Sequence, residues 1–169
     1  MAAQFKRPVC IVGCGRWLRR DDEVGLRIAR LLSESDSLPQ TRIYSTEAPA
    51  IDIPTWLDGV ELLVVIDAAK SGNGHPPGSW DRIDCRTTNA RIRARGNTDT
   101  HGMSVDLALS LSESLGLLPK DVWIYAVVAE DVGYGDGLSP VVARAAPVLC
   151  DALVLDVKGW LCQSEVCHA

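Results

Sequence analysis

The sequence predicts an α/β fold, a sandwich built around a mainly parallel β-sheet. Two kinds of segment alternate along the 169 residues: apolar runs of strand length, and stretches whose apolar residues recur with helical spacing. Residues 62–66 are apolar at every position, which is typical of a central parallel strand covered on both faces. Strands that alternate with helices favour a parallel sheet with crossover helices.

The first strand and helix meet at an unusual junction. Residues 9–12 form the first apolar run, and the turn Gly13-Cys14-Gly15 follows it. Three consecutive acids, Asp21-Asp22-Glu23, then open an amphipathic helix. Because open α/β sheets bind ligands outside the carboxyl ends of their strands, this junction is a candidate site.

The remaining elements follow from the same patterns. Further strands are expected at 42–45, 61–69, 79–85 and 122–128, and the imperfect alternation of 79–85 suits an edge strand. Helical patterns cover 49–59, a segment from His101 to about 115, and a last helix with Ser139 as N-cap and Pro140 at its first position. The polar segment 87–100 has no apolar period and is predicted to be a loop.

Length and composition indicate one domain over residues 1–169, with a tail from about 159 that can be disordered. A net charge of −5 argues against a nucleic-acid-binding protein. The apolar runs are too short for a transmembrane helix, and residues 1–8 lack the apolar region of a signal peptide. We therefore expect a cytoplasmic protein, with no membrane partner and with its six cysteines as free thiols.

Three metal-ligating side chains fall at the ends of predicted elements. Asp22 follows the first strand, Asp67 lies at the tip of the central strand, and His101 starts a helix. In a doubly wound sheet these positions can converge on one edge. Two carboxylates and an imidazole suit a divalent transition metal, and three protein ligands leave coordination positions open for water or substrate.

Each of these residues also has a simpler interpretation. Acids in a first helical turn complement the helix dipole, Asp67 can cap a neighbouring turn, and His101 can belong to a helix N-terminal cap. The Gly13-x-Gly15 turn also suggests dinucleotide binding, with Glu47 on a ribose hydroxyl. However, the third glycine of that fingerprint is missing, and acids at the helix N-terminus would repel a pyrophosphate.

In order and spacing, several short motifs resemble those of the nickel–iron hydrogenase maturation proteases, which trim the C-terminal extension of the hydrogenase large-subunit precursor. The similarity spans about residues 9–153. The motifs that carry it are the GxG turn with Asp21-Asp22-x-Val24-Gly25, Val65-Ile66-Asp67-Ala68, Pro77-Gly78, His101-Gly102 and Gly137-Leu138-Ser139-Pro140.

The resemblance implies a three-layer α/β/α sandwich of about five strands, one of them antiparallel, here residues 79–85. It places the family's metal ligands and catalytic groups on Asp22, Asp67 and His101. It also implies that nickel is supplied by the precursor, is sensed by these ligands and precedes cleavage. No nucleotide cofactor is expected.

Three positions depart from the family's pattern. Arg16 stands where asparagine is usual, Glu23 where glycine is frequent, and Thr46-Glu47-Ala48 where the second strand often ends in an Asp-Gly-Gly-like segment. We assign Arg16 and Glu47 to substrate binding, since Arg16 could neutralise a carboxylate or contact the C-terminal segment of the precursor.

The sequence therefore predicts a metal-guided endopeptidase that cuts a nickel-loaded hydrogenase large-subunit precursor. It has no G-x-S-x-G nucleophile elbow, and Cys14 is the only suggestive thiol. Two alternatives remain open: a maturation factor that docks on the precursor without cutting it, and a nucleotide-binding α/β protein that uses Gly13, Gly15 and Glu47.

Overall fold

The computed structural model describes residues 8–70, 74–85 and 102–166. Within these ranges the chain alternates strands and helices in the predicted order. The strands are β1 (Val9–Cys14), β2 (Thr41–Thr46), β3 (Leu62–Ala69), β4 (Trp80–Asp84) and β5 (Asp121–Val128). The α-helices are α1 (Val24–Glu34), α2 (Pro49–Asp52), α3 (Gly102–Ser114) and α4 (Pro140–Val166), and 3₁₀ turns span Arg20–Glu23 and Ile53–Trp56.

The five strands of the described chain form one sheet in the order β2-β1-β3-β5-β4. All neighbours are parallel except β4, which pairs antiparallel with β5 at the sheet edge. The predicted mainly parallel sheet with an antiparallel edge strand is therefore confirmed.

Helices cover both faces of the sheet, which confirms the three layers. One face packs against α1 and α4, and the other against α2, the second 3₁₀ turn and α3. Along β3 the side chains alternate: Leu62, Val64 and Ile66 join the first core, while Leu63 and Val65 join the second. Both faces of this strand are buried, as its continuous apolar run predicts.

The structure corrects the sequence-based prediction at two boundaries. The acids 21–23 form a 3₁₀ turn, and α1 begins only at Val24. β3 ends at Ala69, as predicted, and Asp67 lies two residues before that end. The second correction concerns the chain end.

Residues 159–166 are helical, although the sequence suggested a tail from about 159. They continue α4, whose Trp160 and Leu161 pack against the core. The indole N–H of Trp160 also donates a hydrogen bond to Asp121 Oδ2 at 2.9 Å. These contacts extend the fold as far as the helix end at Val166. No helix in the described ranges combines the length and the apolar character needed to span a membrane.

Candidate functional site

A pocket opens where β1, β2 and β3 end, the edge at which parallel sheets bind ligands. The empty space of this pocket, including its opening to solvent, is about 290 Å³. Each of the three strands, or the loop that follows it, contributes to the walls, and α3 closes one side. The lining residues are Cys14, Gly15, Arg16, Glu47, Pro49, Asp67 and Val105.

The strand register brings Cys14 and Asp67 together. Gly13 of β1 pairs with Ile66 of β3, so the next residue of each strand follows side by side. Strand alternation places both on the face covered by α2 and α3, because Cys14 packs in that core and Asp67 continues the series Leu63, Val65. Asp67 is therefore an acid at the end of an otherwise apolar row.

The carboxyl group of Asp67 is strongly perturbed. Burial and, to a smaller extent, the negative charge of Asp22 raise its pKa to about 7, while a hydrogen bond from the Ala68 N–H to Oδ1 (2.9 Å) opposes them. Asp67 as a residue is only partly buried, but its carboxyl group lies against the pocket wall. Asp22 is 5% exposed. Two of the three predicted metal ligands thus lie close enough to interact electrostatically.

The third predicted ligand, His101, lies outside the described residues, as does the predicted loop 87–100. α3 begins at the next position, Gly102, and its Val105 lines the pocket. Across the described ranges, no cluster of three His, Cys, Asp or Glu side chains has the arrangement of a metal site. The three-ligand site therefore stays a prediction.

The described donors nevertheless have the chemistry that a divalent cation requires. Burial and, to a smaller extent, repulsion by the nearby Asp22 carboxylate favour the protonated form of Asp67. A divalent cation would neutralise both groups and displace that proton.

Cys14 is poorly suited to act as a nucleophile. Its side chain is buried, and both this burial and the negative charge of Asp67 hold the thiol pKa well above its usual range. Since the thiolate is the reactive form, the thiol is inert at neutral pH. The one suggestive thiol of the sequence is therefore not activated as a nucleophile.

Asp21, which precedes the candidate ligand, has a structural role. Its carboxylate accepts four hydrogen bonds, from the N–H groups of Glu130 (2.8 Å), Asp131 (3.0 Å) and Ser139 (2.6 Å) and from the Ser139 hydroxyl (2.8 Å). It joins the 3₁₀ turn to the loop after β5 and to the start of α4. The predicted N-cap Ser139 does precede α4, but its hydroxyl donates to Asp21.

Glu23, which follows Asp22, also has a structural role, because both of its carboxylate oxygens accept hydrogen bonds within the protein. Its side chain is fully buried, and Oε1 accepts the Leu18 N–H at 2.7 Å while Oε2 accepts Arg27 Nε at 2.7 Å. Glu23 therefore fixes the loop between β1 and the 3₁₀ turn. Of the three consecutive acids, Asp21 and Glu23 therefore have structural roles, and Asp22 lies between them beside the pocket.

Arg16 and Glu47, assigned to substrate binding from the sequence, both line the pocket and both are exposed. Glu47 also has a structural contact, since its Oε1 accepts the Trp17 N–H at 2.7 Å and so ties the loop after β2 to the loop after β1. The pocket mouth thus presents a cationic side chain beside acidic ones.

Gly13 of the first turn and Gly25 of α1 allow close packing of the backbone. A Cβ atom at Gly13 would lie 2.0 Å from the Gly25 carbonyl oxygen, and one at Gly25 would lie 2.2 Å from the Cys14 oxygen and 2.4 Å from the Ile66 oxygen. The start of α1 therefore rests directly on the backbones of β1 and β3. This contact accounts for Gly13 and Gly25 without a dinucleotide and weakens the nucleotide-binding alternative.

Sequence reasoning missed two pocket residues, Pro49 and Val105. Pro49 is the first residue of α2, three positions after the end of β2, and a proline at a helix start was a usable signal. Val105 is one apolar position among several in α3, and the sequence gives no sign of which one faces a ligand.

No family model matches the sequence, and no curated protein matches it. Solved structures do match its fold. The hydrogenase maturating endopeptidase HybD from Escherichia coli aligns with a TM-score of 0.71 and 18% identity, covering 89% of this chain and 92% of its own. The solution structure of an endopeptidase from Escherichia coli aligns with a TM-score of 0.75 and 19% identity, covering 89% of this chain and 93% of its own.

An archaeal structure extends the comparison. The hydrogenase 2 maturation peptidase from a Thaumarchaeota archaeon aligns with a TM-score of 0.65 and 24% identity, over 89% of this chain and 97% of its own. These alignments cover nearly complete chains on both sides, and they confirm at the level of the fold the resemblance drawn from the motifs. The chain has the fold of the nickel–iron hydrogenase maturation proteases.

Proposed function

We propose that this protein is an endopeptidase that removes the C-terminal extension from a nickel-loaded hydrogenase large-subunit precursor, in the cytoplasm, during hydrogenase maturation. The observation that carries the proposal is the interacting pair Asp22 and Asp67 beside a strand-end pocket. The pair occurs in a fold shared with proteins named as hydrogenase maturation peptidases.

Nickel enters this scheme as part of the substrate. Asp22, Asp67 and His101 would hold the ion carried by the precursor. Because Asp67 carries a proton over much of the neutral range, binding of the cation is coupled to release of that proton. A precursor without metal offers no such exchange, so the acid pair discriminates loaded from unloaded precursor.

The same carboxyl groups suit peptide hydrolysis. A carboxylate oxygen of this pair that is left free of the ion can accept a proton from the attacking water and return it to the leaving nitrogen. Water adds to the scissile carbonyl carbon, the C–N bond breaks, and the products are a new carboxylate and a new amine. A bound nickel ion supplies a Lewis acid beside that carbonyl. Water is the nucleophile in this scheme because the Cys14 thiol stays protonated.

Arg16 and Glu47 would contact the precursor segment that enters the pocket. The Arg16 guanidinium is exposed at the pocket wall and can meet a carboxylate or backbone carbonyl of that segment. This assignment makes Arg16 a residue that affects the KM for precursor more than the kcat.

The test is processing of purified nickel-loaded precursor by purified enzyme, followed by mass spectrometry. We expect Asp22→Asn, Asp67→Asn and His101→Ala to slow cleavage by roughly 100-fold or more, since each removes a catalytic or metal-holding group. Asp36→Asn is the matched control, because Asp36 is an exposed acid in the turn after α1.

Processing by all three variants at the wild-type rate would contradict the site assignment. A stable complex in which the precursor keeps its full mass would contradict the peptidase and indicate a docking factor. Stabilisation by a dinucleotide, but not by nickel, would favour the nucleotide-binding alternative.

A further inference from the structure

Two loops beside the pocket expose large side chains in a fixed arrangement. We define the rim surface as Trp17, Leu18 and Tyr134, whose exposed fractions are 45%, 62% and 85%. Trp17 and Leu18 lie between β1 and the first 3₁₀ turn, and Tyr134 lies in the loop between β5 and α4. Isolated exposed hydrophobic residues are ordinary on proteins, and what distinguishes these three is their arrangement.

The two loops are joined by backbone pairing. Arg19 and Gly135 form a parallel bridge, in which the Gly135 N–H donates to the Leu18 oxygen (3.0 Å) and the Arg20 N–H donates to the Gly135 oxygen (3.1 Å). This register places Leu18 next to Tyr134 on the neighbouring segment. The rim surface is therefore one surface built from two loops.

Both aromatic rings are held by arginine side chains. The Arg19 guanidinium carbon lies 4.4 Å from the centre of the Tyr134 ring, and that of Arg27 lies 5.9 Å from the centre of the Trp17 ring. Arg27 is itself anchored by an ion pair of 2.6 Å to the buried carboxylate of Glu23. The exposed rings are thus oriented before any partner arrives, which lowers the entropic cost of binding.

Leu18 is strained as well as exposed. Its φ of 61° lies in the left-handed region, which a branched side chain seldom adopts, and Arg20 has a φ of 45°. The buried carboxylate of Glu23 accepts the Leu18 N–H and stabilises this conformation. Strained residues that the surrounding structure holds in place are concentrated at functional sites, and this one presents an apolar side chain to solvent.

The rim surface is continuous with the pocket. Arg16, the residue before Trp17, lines the pocket, and the Trp17 N–H donates to Glu47, which lines it too. The rim surface thus lies next to the pocket wall, within reach of a protein whose segment enters the pocket. Exposed, preorganised aromatic residues are the groups most often found to dominate binding at protein interfaces.

We infer that the rim surface is the docking site for the folded body of the substrate protein, and that it binds an apolar patch of the precursor next to the segment to be cut. This inference rests on the proposed function, which supplies the identity of the partner. It separates two tasks: the pocket receives the metal and the scissile segment, while Trp17, Leu18 and Tyr134 provide affinity for the body of the precursor.

The experiment measures kcat and KM for nickel-loaded precursor with Trp17→Ala, Tyr134→Ala and Leu18→Gly. We expect the KM to rise roughly tenfold for each aromatic truncation, with kcat unchanged within about twofold, as for a residue that binds without reacting. Ile51→Ala and Leu155→Ala are the matched controls, since these side chains are 72% and 71% exposed on α2 and α4. Both controls should keep the wild-type KM.

Leu18→Gly separates docking from a structural role. Glycine adopts a φ of 61° without strain, so this variant should keep or raise the Tm while its KM rises several-fold. A wild-type KM in all three rim variants would overturn the inference and leave the proposed function standing. A rise in KM that is accounted for by a lower Tm would have the same two consequences. If wild-type enzyme neither binds nor cuts the loaded precursor, the proposed function fails and this inference fails with it.

Discussion

Replacing Asp67 with asparagine should change how the stability of the protein depends on pH. In the folded protein, burial and the charge of Asp22 raise the pKa of Asp67 from its ordinary value of 3.8 to about 7. The folded state therefore binds a proton at Asp67 more tightly than the unfolded state does. Stability from this group is fully present below pH 3.8 and is lost as the pH rises through about 7.

The size of the effect follows from the same values. A pKa difference of about 3 units, at 1.36 kcal/mol per unit, corresponds to about 4 kcal/mol as an upper limit. Because Asp67 is partly exposed, solvent screening reduces the effect, and we expect about 2–4 kcal/mol between pH 4 and pH 8. The asparagine side chain of the Asp67→Asn variant does not titrate, so the variant should lose this part of the pH dependence.

The assay is urea unfolding of the wild type and Asp67→Asn at several pH values from 4 to 8, with a chelator present because a bound cation would favour the ionised carboxylate. The difference in unfolding free energy should shift in favour of the variant as the pH rises, with its midpoint between 4 and 7. Asp36→Asn should follow the wild type. A pH-independent difference between Asp67→Asn and the wild type would refute the reasoning, since it would mean that Asp67 has an ordinary pKa in the folded protein.

Three further predictions concern the elements that position the site. Asp21→Asn should lower the unfolding free energy by about 2–4 kcal/mol in urea denaturation, because a donor amide would face buried N–H groups, whereas Ser139→Ala, which removes one hydroxyl, should cost only about 1 kcal/mol. Gly25→Ala should lower the unfolding free energy by about 3 kcal/mol or more, since its Cβ would lie 2.2 Å from a backbone oxygen. Gly159→Ala is the control: position 159 in α4 has open space, so this change should raise the Tm slightly. Equal effects of the two changes would contradict the packing argument. Cys14→Ala should keep precursor processing within a few-fold of wild type in the mass assay, because the thiol pKa is raised; abolished cleavage by a folded variant would identify Cys14 as the nucleophile.

Periodicity and the rules for parallel sheets were sufficient to predict the fold. The apolar run in β3 predicted a central strand, and the imperfect alternation of residues 79–85 predicted an edge strand, while the family resemblance implied its antiparallel direction. Boundaries were less predictable because tertiary contacts set them. The acids that the sequence placed in the first helix form a 3₁₀ turn, and the contact between Trp160 and Asp121 accompanies the extension of α4 through positions where the sequence suggested a tail.

The candidate site was predictable where chemistry and strand ends coincide, as at Asp67. Among the three consecutive acids the sequence singled out Asp22, but it gave no sign of the structural roles of Asp21 and Glu23. Their roles differ because Asp21 and Glu23 meet backbone N–H groups from distant or strained loops, which only the folded chain brings near. The rim surface was hidden for the same reason, since Leu18 and Tyr134 are brought together by a bridge between loops.

The most direct test of the central claim is the intact mass of the cognate large subunit after coexpression in nickel-replete cells. With the wild-type protein we predict loss of a C-terminal peptide, and with Asp67→Asn we predict a precursor of full length. The same precursor in nickel-depleted cells should stay uncut with either protein. A full-length large subunit after coexpression with the wild type, from precursor shown to contain nickel, would contradict the account.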